Sequence, residues 1–165
     1  MSEPTVLERT EQPYVAIPIR ATLREWGGVN ALVPEVYGWL AARGITPAGA
    51  VFYRHLVVGG FDEKFSVEVG VPVTEPVEGD GRVLAGAKPA GRYVVAVHHG
   101  HPDGIAKSHQ ALVAWAEREA VPLAKDGEVW GGMFESYLTD PAVEPDLNKF
   151  ETELAYLVSA GQPPR

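Results

Sequence analysis

The feature that most constrains the fold is a likeness between the two halves of the chain. The first two matching pairs of residues are each separated by 76 positions, and later pairs drift slightly from that offset. The matching positions are Gly28 with Gly104, Trp39 with Trp115, 51–56 with 133–138, and 64–69 with 149–154. Because these similarities occur in the same order in both halves, they predict an internal duplication.

The periodicity of apolar residues predicts two helices. Apolar residues recur at steps of three and four over 29–40 and again over 105–116. Gly44 follows the first segment, as a glycine that ends a helix does, and Asp103 precedes the second as a candidate N-cap. Strands are predicted wherever valine-rich and aromatic runs are bounded by Gly, Pro or Asp. These runs are 15–19, 51–58, 65–73, 83–87, 93–98, 129–138 and 150–158.

Each half then has the order strand, helix, strand, strand. We therefore expect an α+β fold made of a duplicated βαββ unit with pseudo-twofold symmetry. In it, an antiparallel sheet carries two helices on one face, with a central ligand cleft where the halves join. The half-repeats are predicted at about 1–77 and 82–160, within a single domain spanning 1–165.

Composition excludes several function classes. The net charge of −8 opposes direct binding to nucleic acid, because no basic stripe offsets it. The chain has no cysteine, which rules out disulfides and thiolate metal sites. Its first residues lack the pattern of a signal peptide, and no apolar run is long enough to cross a bilayer. We expect a cytoplasmic protein that is a monomer or homodimer and has no membrane partner and no cofactor.

Histidines cluster near the start of the second helix, and two interpretations of them are open. They are His98, His99, His101 and His109. One interpretation is a metal site that includes Asp103, and the other is a polar turn followed by a helix-surface histidine. Successive residues of a strand point to opposite faces, so His98 and His99 cannot both join a compact site. We therefore expect no metal ion.

Glu135 is the most informative single residue. In a strand it shares one face with Met133 and Tyr137, and it interrupts an otherwise apolar segment. It is either an ordinary exposed glutamate or a carboxylate held in an aromatic-lined cleft, where burial would raise its pKa.

The segment around Glu135 resembles the GyrI-like small-molecule-binding family. This family includes gyrase-inhibitor-like proteins and the effector domains of some AraC- and MerR-type regulators. The residues that carry the resemblance are 135–141, 144–146, 152–153, 89–94, 104–115, 38–40 and 65–73. The chain departs from the family pattern at 99–103 before the second helix. It also departs at 119–121, where a glycine is common.

The resemblance implies the duplicated βαββ fold and matches Glu135 to a cleft-facing glutamate that contacts cationic ligands. The candidate ligand-binding residues are Glu135, Tyr137, Tyr53, His55, Trp26, Trp130, Phe65, Phe150 and His109.

Three functions are open, and binding a hydrophobic small molecule that is cationic or aromatic ranks first. The second is hydrolysis of reactive cyclopropane-type genotoxins. By resemblance, Glu135 would serve there as general base and Tyr137 as proton donor. The third is a gyrase-inhibitor-like protein-interaction module, although the sequence has no acidic stripe to support it.

Overall fold

The chain forms an α+β fold built on an eight-stranded antiparallel sheet, and the computed structural model describes residues 1–160. In chain order its elements are β1 (Thr5–Arg9), β2 (Gln12–Ala21), α1 (Trp26–Asn30), α2 (Leu32–Ala42), β3 (Phe52–Val57), β4 (Phe65–Pro72), β5 (Leu84–Lys88), β6 (Gly91–His99), α3 (Ile105–Arg118), β7 (Lys125–Asp126), β8 (Val129–Trp130), β9 (Met133–Tyr137) and β10 (Glu151–Leu157). No helix within these residues is long and apolar enough to cross a membrane.

The strand order of the large sheet is β1-β6-β10-β9-β3-β4-β2-β5, while β7 and β8 form a separate two-stranded ribbon. The central pair, β3 and β9, joins the two halves of the chain, with Tyr53 directly opposite Glu135. Outward from this pair, one side reads β9, β10, β6 and the other reads β3, β4, β2. Each half therefore contributes its strands in the same relative order.

The helices pack against the sheet through two apolar clusters. In the first half, α2 packs on β2 and β4 through Val36 and Leu40. In the second half, α3 packs on β6 through Ile105 and Leu112. The helical stripes also predict Trp39 and Trp115 as core residues. The structure leaves both only partly buried, at the margins of these clusters.

A third apolar cluster fills the opposite face of the sheet, where Phe52 and Phe134 alternate with the cavity-facing residues of β3 and β9. The Phe52 and Phe134 rings pack edge to face at 5.7 Å. The Lys88 ammonium lies 4.2 Å from the centre of the Phe52 ring. This face is thus filled by aromatic side chains, with a lysine ammonium against two of the rings.

The predicted single strand 129–138 is wrong, because the chain breaks at Gly131 and Gly132 into β8 and β9. The backbone passes very close to its neighbours at this break. A Cβ at Gly131 would lie 2.9 Å from the Ala124 side chain, and one at Gly132 would lie 2.8 Å from that of Leu157. The two glycines allow this approach and turn the chain from the ribbon into the sheet.

Two further expectations change at the ends of elements. Asp103 does not cap α3, because it lies within a 3-10 turn (Pro102–Gly104) capped by His101, whose ring accepts a hydrogen bond from the Asp103 N–H. The first helical segment is divided at Ala31 into α1 and α2.

The edge strand β1 has no predicted counterpart, because its largely exposed residues lack an apolar run.

Candidate functional site

A cavity of about 1880 Å³ lies over the middle of the sheet, bordered by α1 and α2 on one side and by α3 on the other. Its floor comes from the central strands β3 and β9. The candidate residues that line it are Trp26, Tyr53, His55, Phe65, His109, Trp130, Glu135, Tyr137 and Phe150. All nine residues singled out from the sequence therefore border one cavity.

Glu135 lies on this floor with 8% of its surface exposed, and both of its carboxylate oxygens are already hydrogen-bonded. The Tyr137 hydroxyl donates to Oε2 at 2.6 Å. His109 Nε2 lies 2.6 Å from Oε1. Tyr137 reaches the carboxylate because it lies two residues further along β9, on the same face. These two short contacts supply donors to a carboxylate that would otherwise be desolvated.

His109 links Glu135 to a second buried tyrosine. It projects from α3, and its Nδ1 lies 2.7 Å from the Tyr156 hydroxyl of β10. If Tyr156 donates to Nδ1 and Nε2–H donates to Glu135, every polar atom in this chain of contacts has a partner. Tyr156 is not among the residues predicted from the sequence, although strand alternation places it on the same face as the buried Leu154.

The pKa of Glu135 differs in direction from the expectation. Burial alone raises the pKa of this carboxyl, as predicted. The charge of His55 and the hydrogen bond from His109 outweigh that effect and hold the pKa well below its usual 4.5. The prediction of a raised pKa is therefore wrong, because it considered burial without the two imidazoles that the fold brings to the carboxylate.

Aromatic side chains form one wall of the cavity. The Trp26 indole stacks on the His55 imidazole with an interplanar angle of 6° at 6.1 Å, and Trp26 meets Phe65 edge to face at 5.0 Å. The Tyr53 and Tyr137 rings also pack edge to face at 4.9 Å. These contacts hold the rings in fixed positions around the carboxylate.

Three remaining contacts complete the positions of the candidate residues. The Tyr53 hydroxyl donates to Asn30 Oδ1 at 2.6 Å, a contact that the sequence did not indicate. Trp130 belongs to β8 rather than to the strand of Glu135, and it packs on Tyr156 at 5.1 Å. Phe150 lies immediately before β10 at the cavity edge.

The charge of the cavity lining is one-sided. Besides Glu135, four carboxylates border the cavity, and within residues 1–160 no lysine or arginine does so. They are Asp103, Glu117, Asp140 and Glu151. Such a lining gives the cavity a negative field when the carboxylates are ionised.

The other histidines near the start of the second helix do not converge with His109. His98 is buried on β6, within hydrogen-bond distance of the Ser108 hydroxyl and the His101 carbonyl, and His99 is largely exposed. In the part of the chain that the structure describes, no group of three or more His, Asp or Glu side chains is arranged to hold a metal ion.

Comparison with known proteins gives the family. The model of the GyrI-like small molecule binding domain matches residues 2–156. The chain belongs to the GyrI-like family. The resemblance predicted from the sequence is thereby confirmed. None of the curated proteins matches the sequence of this GyrI-like chain significantly.

Solved structures similar to this GyrI-like chain include a regulator domain, a protein bound to an organic cation and a hydrolase. The C-terminal domain of EcmrR has 19% sequence identity and a TM-score of 0.78, with 95% of this chain and 97% of that chain covered. EcmrR in its complex with DNA has 17% identity and a TM-score of 0.81. There the match covers 95% of this chain but only 57% of EcmrR.

SAV2435 bound to tetraphenylphosphonium has 14% identity, a TM-score of 0.61, and coverage of 96% and 95%. A hydrolase from Listeria innocua has 13% identity, a TM-score of 0.68, and coverage of 95% and 92%. At these identities the likeness shows the shared fold alone.

Proposed function

We propose that the cavity binds a hydrophobic organic cation and that Glu135 is its central contact. The observation that carries this proposal is a buried carboxylate, held ionised, on the floor of a cavity bordered by aromatic side chains. A buried charge is stable in a protein only when opposite charge or hydrogen bonds compensate it. A cation that enters the cavity supplies such compensation directly.

The aromatic wall supports a ligand that is both cationic and flat or multi-ringed. Trp26, Tyr53 and Phe65 present ring faces and edges to the cavity. A cation over such a face gains about 0.5–2 kcal/mol. The four outer carboxylates add a negative field that increases the rate and strength of cation capture.

The size of the cavity supports a bulky ligand. Ordinary small-molecule pockets measure about 300–1,000 Å³, and this cavity is larger, at about 1880 Å³. It can therefore hold ligands of different shapes. The binding of tetraphenylphosphonium by SAV2435 makes that cation a suitable first probe.

We also propose that the cavity is the central cleft of a duplicated βαββ unit. The matching strand order on the two sides of the β3–β9 junction is what two equivalent halves would produce. The cavity floor lies on that junction, where Tyr53 of the first half faces Glu135 of the second.

The decisive experiment is titration of tetraphenylphosphonium into the wild type and Glu135→Gln by calorimetry. Glutamine keeps the shape of the side chain and removes its charge. We expect a loss of about 1.5–3 kcal/mol, or about ten- to a hundredfold in affinity. Glu128→Gln is the matched control, since it makes the same change at an exposed position outside the cavity.

A neutral aromatic of similar shape, triphenylphosphine oxide, separates charge from packing. Its affinity is expected to change little in Glu135→Gln. Equal affinity of the wild type and Glu135→Gln for the phosphonium would show that the carboxylate is not the central contact.

Hydrolysis is the second candidate, supported by the pairing of a tyrosine hydroxyl with a cavity glutamate and by the fold shared with a Listeria innocua hydrolase. We rank it lower, because a carboxylate with a depressed pKa is a weak general base at neutral pH. Incubating the protein with a cyclopropane-bearing electrophile and analysing the products by mass spectrometry tests this function. A water-addition product that disappears in Glu135→Gln would favour hydrolysis.

A further inference from the structure

His55 has an unusual environment for a polar side chain. It lies on β3 with 4% of its surface exposed, and neither ring nitrogen has a hydrogen-bond partner in the described residues. Its neighbours are the ring faces and edges of Trp26, Phe65 and His109. A buried polar group without a partner is destabilising, so its retention calls for an explanation.

The imidazole of His55 is aimed at the carboxylate. Its Nε2 lies 3.2 Å from Oε1 of Glu135, which is close enough for an ion pair when the ring is protonated. No well-formed hydrogen bond accompanies this contact, so Nε2 is left without a hydrogen-bond partner. His55 therefore contacts Glu135 most strongly when its ring is protonated and positively charged.

The other titratable groups around this pair are His109 of α3 and three tyrosines, Tyr53, Tyr137 and Tyr156, of β3, β9 and β10. Burial and the charge of Glu135 raise the pKa of all three tyrosines, so they remain neutral through the physiological range. Histidine is the side chain that ordinarily titrates between pH 5 and 8.

The hydrogen bonds of His109 direct the proton to the other ring. In its neutral form His109 accepts from the Tyr156 hydroxyl and donates to Glu135, and every atom is satisfied. A second proton on His109 would occupy Nδ1 and leave the Tyr156 hydroxyl without an acceptor. A proton on His55 breaks no hydrogen bond and gains the charge of Glu135.

We propose that His55 is an internal counter-ion of Glu135 that competes with the ligand, so that binding of an organic cation releases a proton from His55. This inference rests on the proposed function of the cavity. In the empty site a protonated His55 balances Glu135, and the stacked Trp26 also favours the cationic ring. An arriving cation takes over the carboxylate and would repel a protonated imidazole.

The sign of the pH dependence follows from this exchange. A ligand that requires loss of one proton binds more tightly as pH rises, by up to about tenfold per pH unit, and the dependence ends once the empty site no longer carries that proton. A neutral ligand does not displace the proton and should show no such slope. The site therefore binds cations more tightly as the pH rises.

The experiment is calorimetric titration of tetraphenylphosphonium between pH 5.5 and 8.5, in two buffers of different ionisation enthalpy. The probe does not titrate, so any proton released belongs to the protein. For the wild type we expect up to one proton released at the acidic end, and affinity rising about tenfold per pH unit there. His55→Gln should bind with little dependence on pH and more tightly than the wild type at pH 5.5.

Two further variants test which residue releases the proton when the cation binds. His109→Gln keeps a donor for Glu135 and should retain the pH slope. Glu128→Gln changes an exposed residue outside the cavity and should behave as the wild type. His55→Gln is informative only if it unfolds cooperatively. If it does not, the number of protons released by the wild type and the pH dependence of affinity in His109→Gln still test the inference.

Three results would overturn the inference. They are pH-independent phosphonium binding by the wild type, an unchanged slope in His55→Gln, and loss of the slope in His109→Gln. The absence of phosphonium binding at every pH is a distinct outcome, because it would refute the proposed function itself.

Discussion

Replacing Tyr137 by phenylalanine removes one hydroxyl from the floor of the cavity. The ring that remains still packs edge to face on Tyr53 at 4.9 Å, so the change is confined to the hydrogen bond. That hydroxyl donates to Oε2 of Glu135 at 2.6 Å. Its pKa is raised well above the ordinary value, by burial first and then by the charge of Glu135, so it stays a donor at every physiological pH.

The expected cost follows from the loss of a hydrogen bond to a buried charge. Such a bond contributes about 1.5–3 kcal/mol. For a protein of this size each 1 kcal/mol changes Tm by about 2–4 °C, which predicts a decrease of about 3–12 °C. Affinity for tetraphenylphosphonium should stay within about threefold of the wild type or increase, because an oxygen of Glu135 is freed while its charge is kept.

Thermal unfolding followed by circular dichroism, with titration at neutral pH, tests both expectations. Tyr53→Phe is the matched control, because its hydroxyl bonds to the neutral amide of Asn30. Loss of that bond should cost about 0.5–1.5 kcal/mol, or about 1–6 °C. A Tyr137→Phe variant as stable as the wild type would refute the view that this hydroxyl stabilises a buried charge.

Three further outcomes are expected. Trp26→Ala should lower phosphonium affinity by about two- to thirtyfold, the value of one cation–π contact, and calorimetry would contradict this if affinity were unchanged. Ala120 has a φ of 55°, a left-handed conformation that costs an L-residue about 1–2 kcal/mol. Ala120→Gly should therefore raise the free energy of unfolding by about 0.5–1 kcal/mol, after the added freedom of the unfolded chain is counted. A lower midpoint of denaturant unfolding in this variant would show that the backbone at Ala120 is not strained. Burial lowers the pKa of Lys88 to about 8, so at pH 8 an acylating reagent should label Lys88 ahead of the exposed Lys107. Equal labelling of both, measured by peptide mass spectrometry, would argue against a largely neutral amine.

The sequence by itself determined most of the local structure. Six of the seven predicted strand segments and both helical segments lie where periodicity and turn residues predict them, because these signals reflect which face of each element is buried. The break at Gly131 and Gly132 escaped prediction, since two glycines in a strand-like run indicate either a weak strand or a close approach. The glycine common at 119–121 in the family also has a physical counterpart, the left-handed backbone of Ala120.

Only the tertiary structure decided the charge state of the site. Glu135 could be selected from its own strand, because an acidic residue in an apolar pattern is visible locally. His55 and His109 were candidates for the same cleft, but the sequence did not indicate that both contact this carboxylate, since His55 comes from β3 and His109 from α3. The direction of a pKa shift depends on distances of a few ångströms between such groups, whereas burial alone can be inferred from a pattern. The sequence therefore singled out a carboxylate that the fold buries, and the fold decided that two imidazoles reverse the effect of that burial on its pKa.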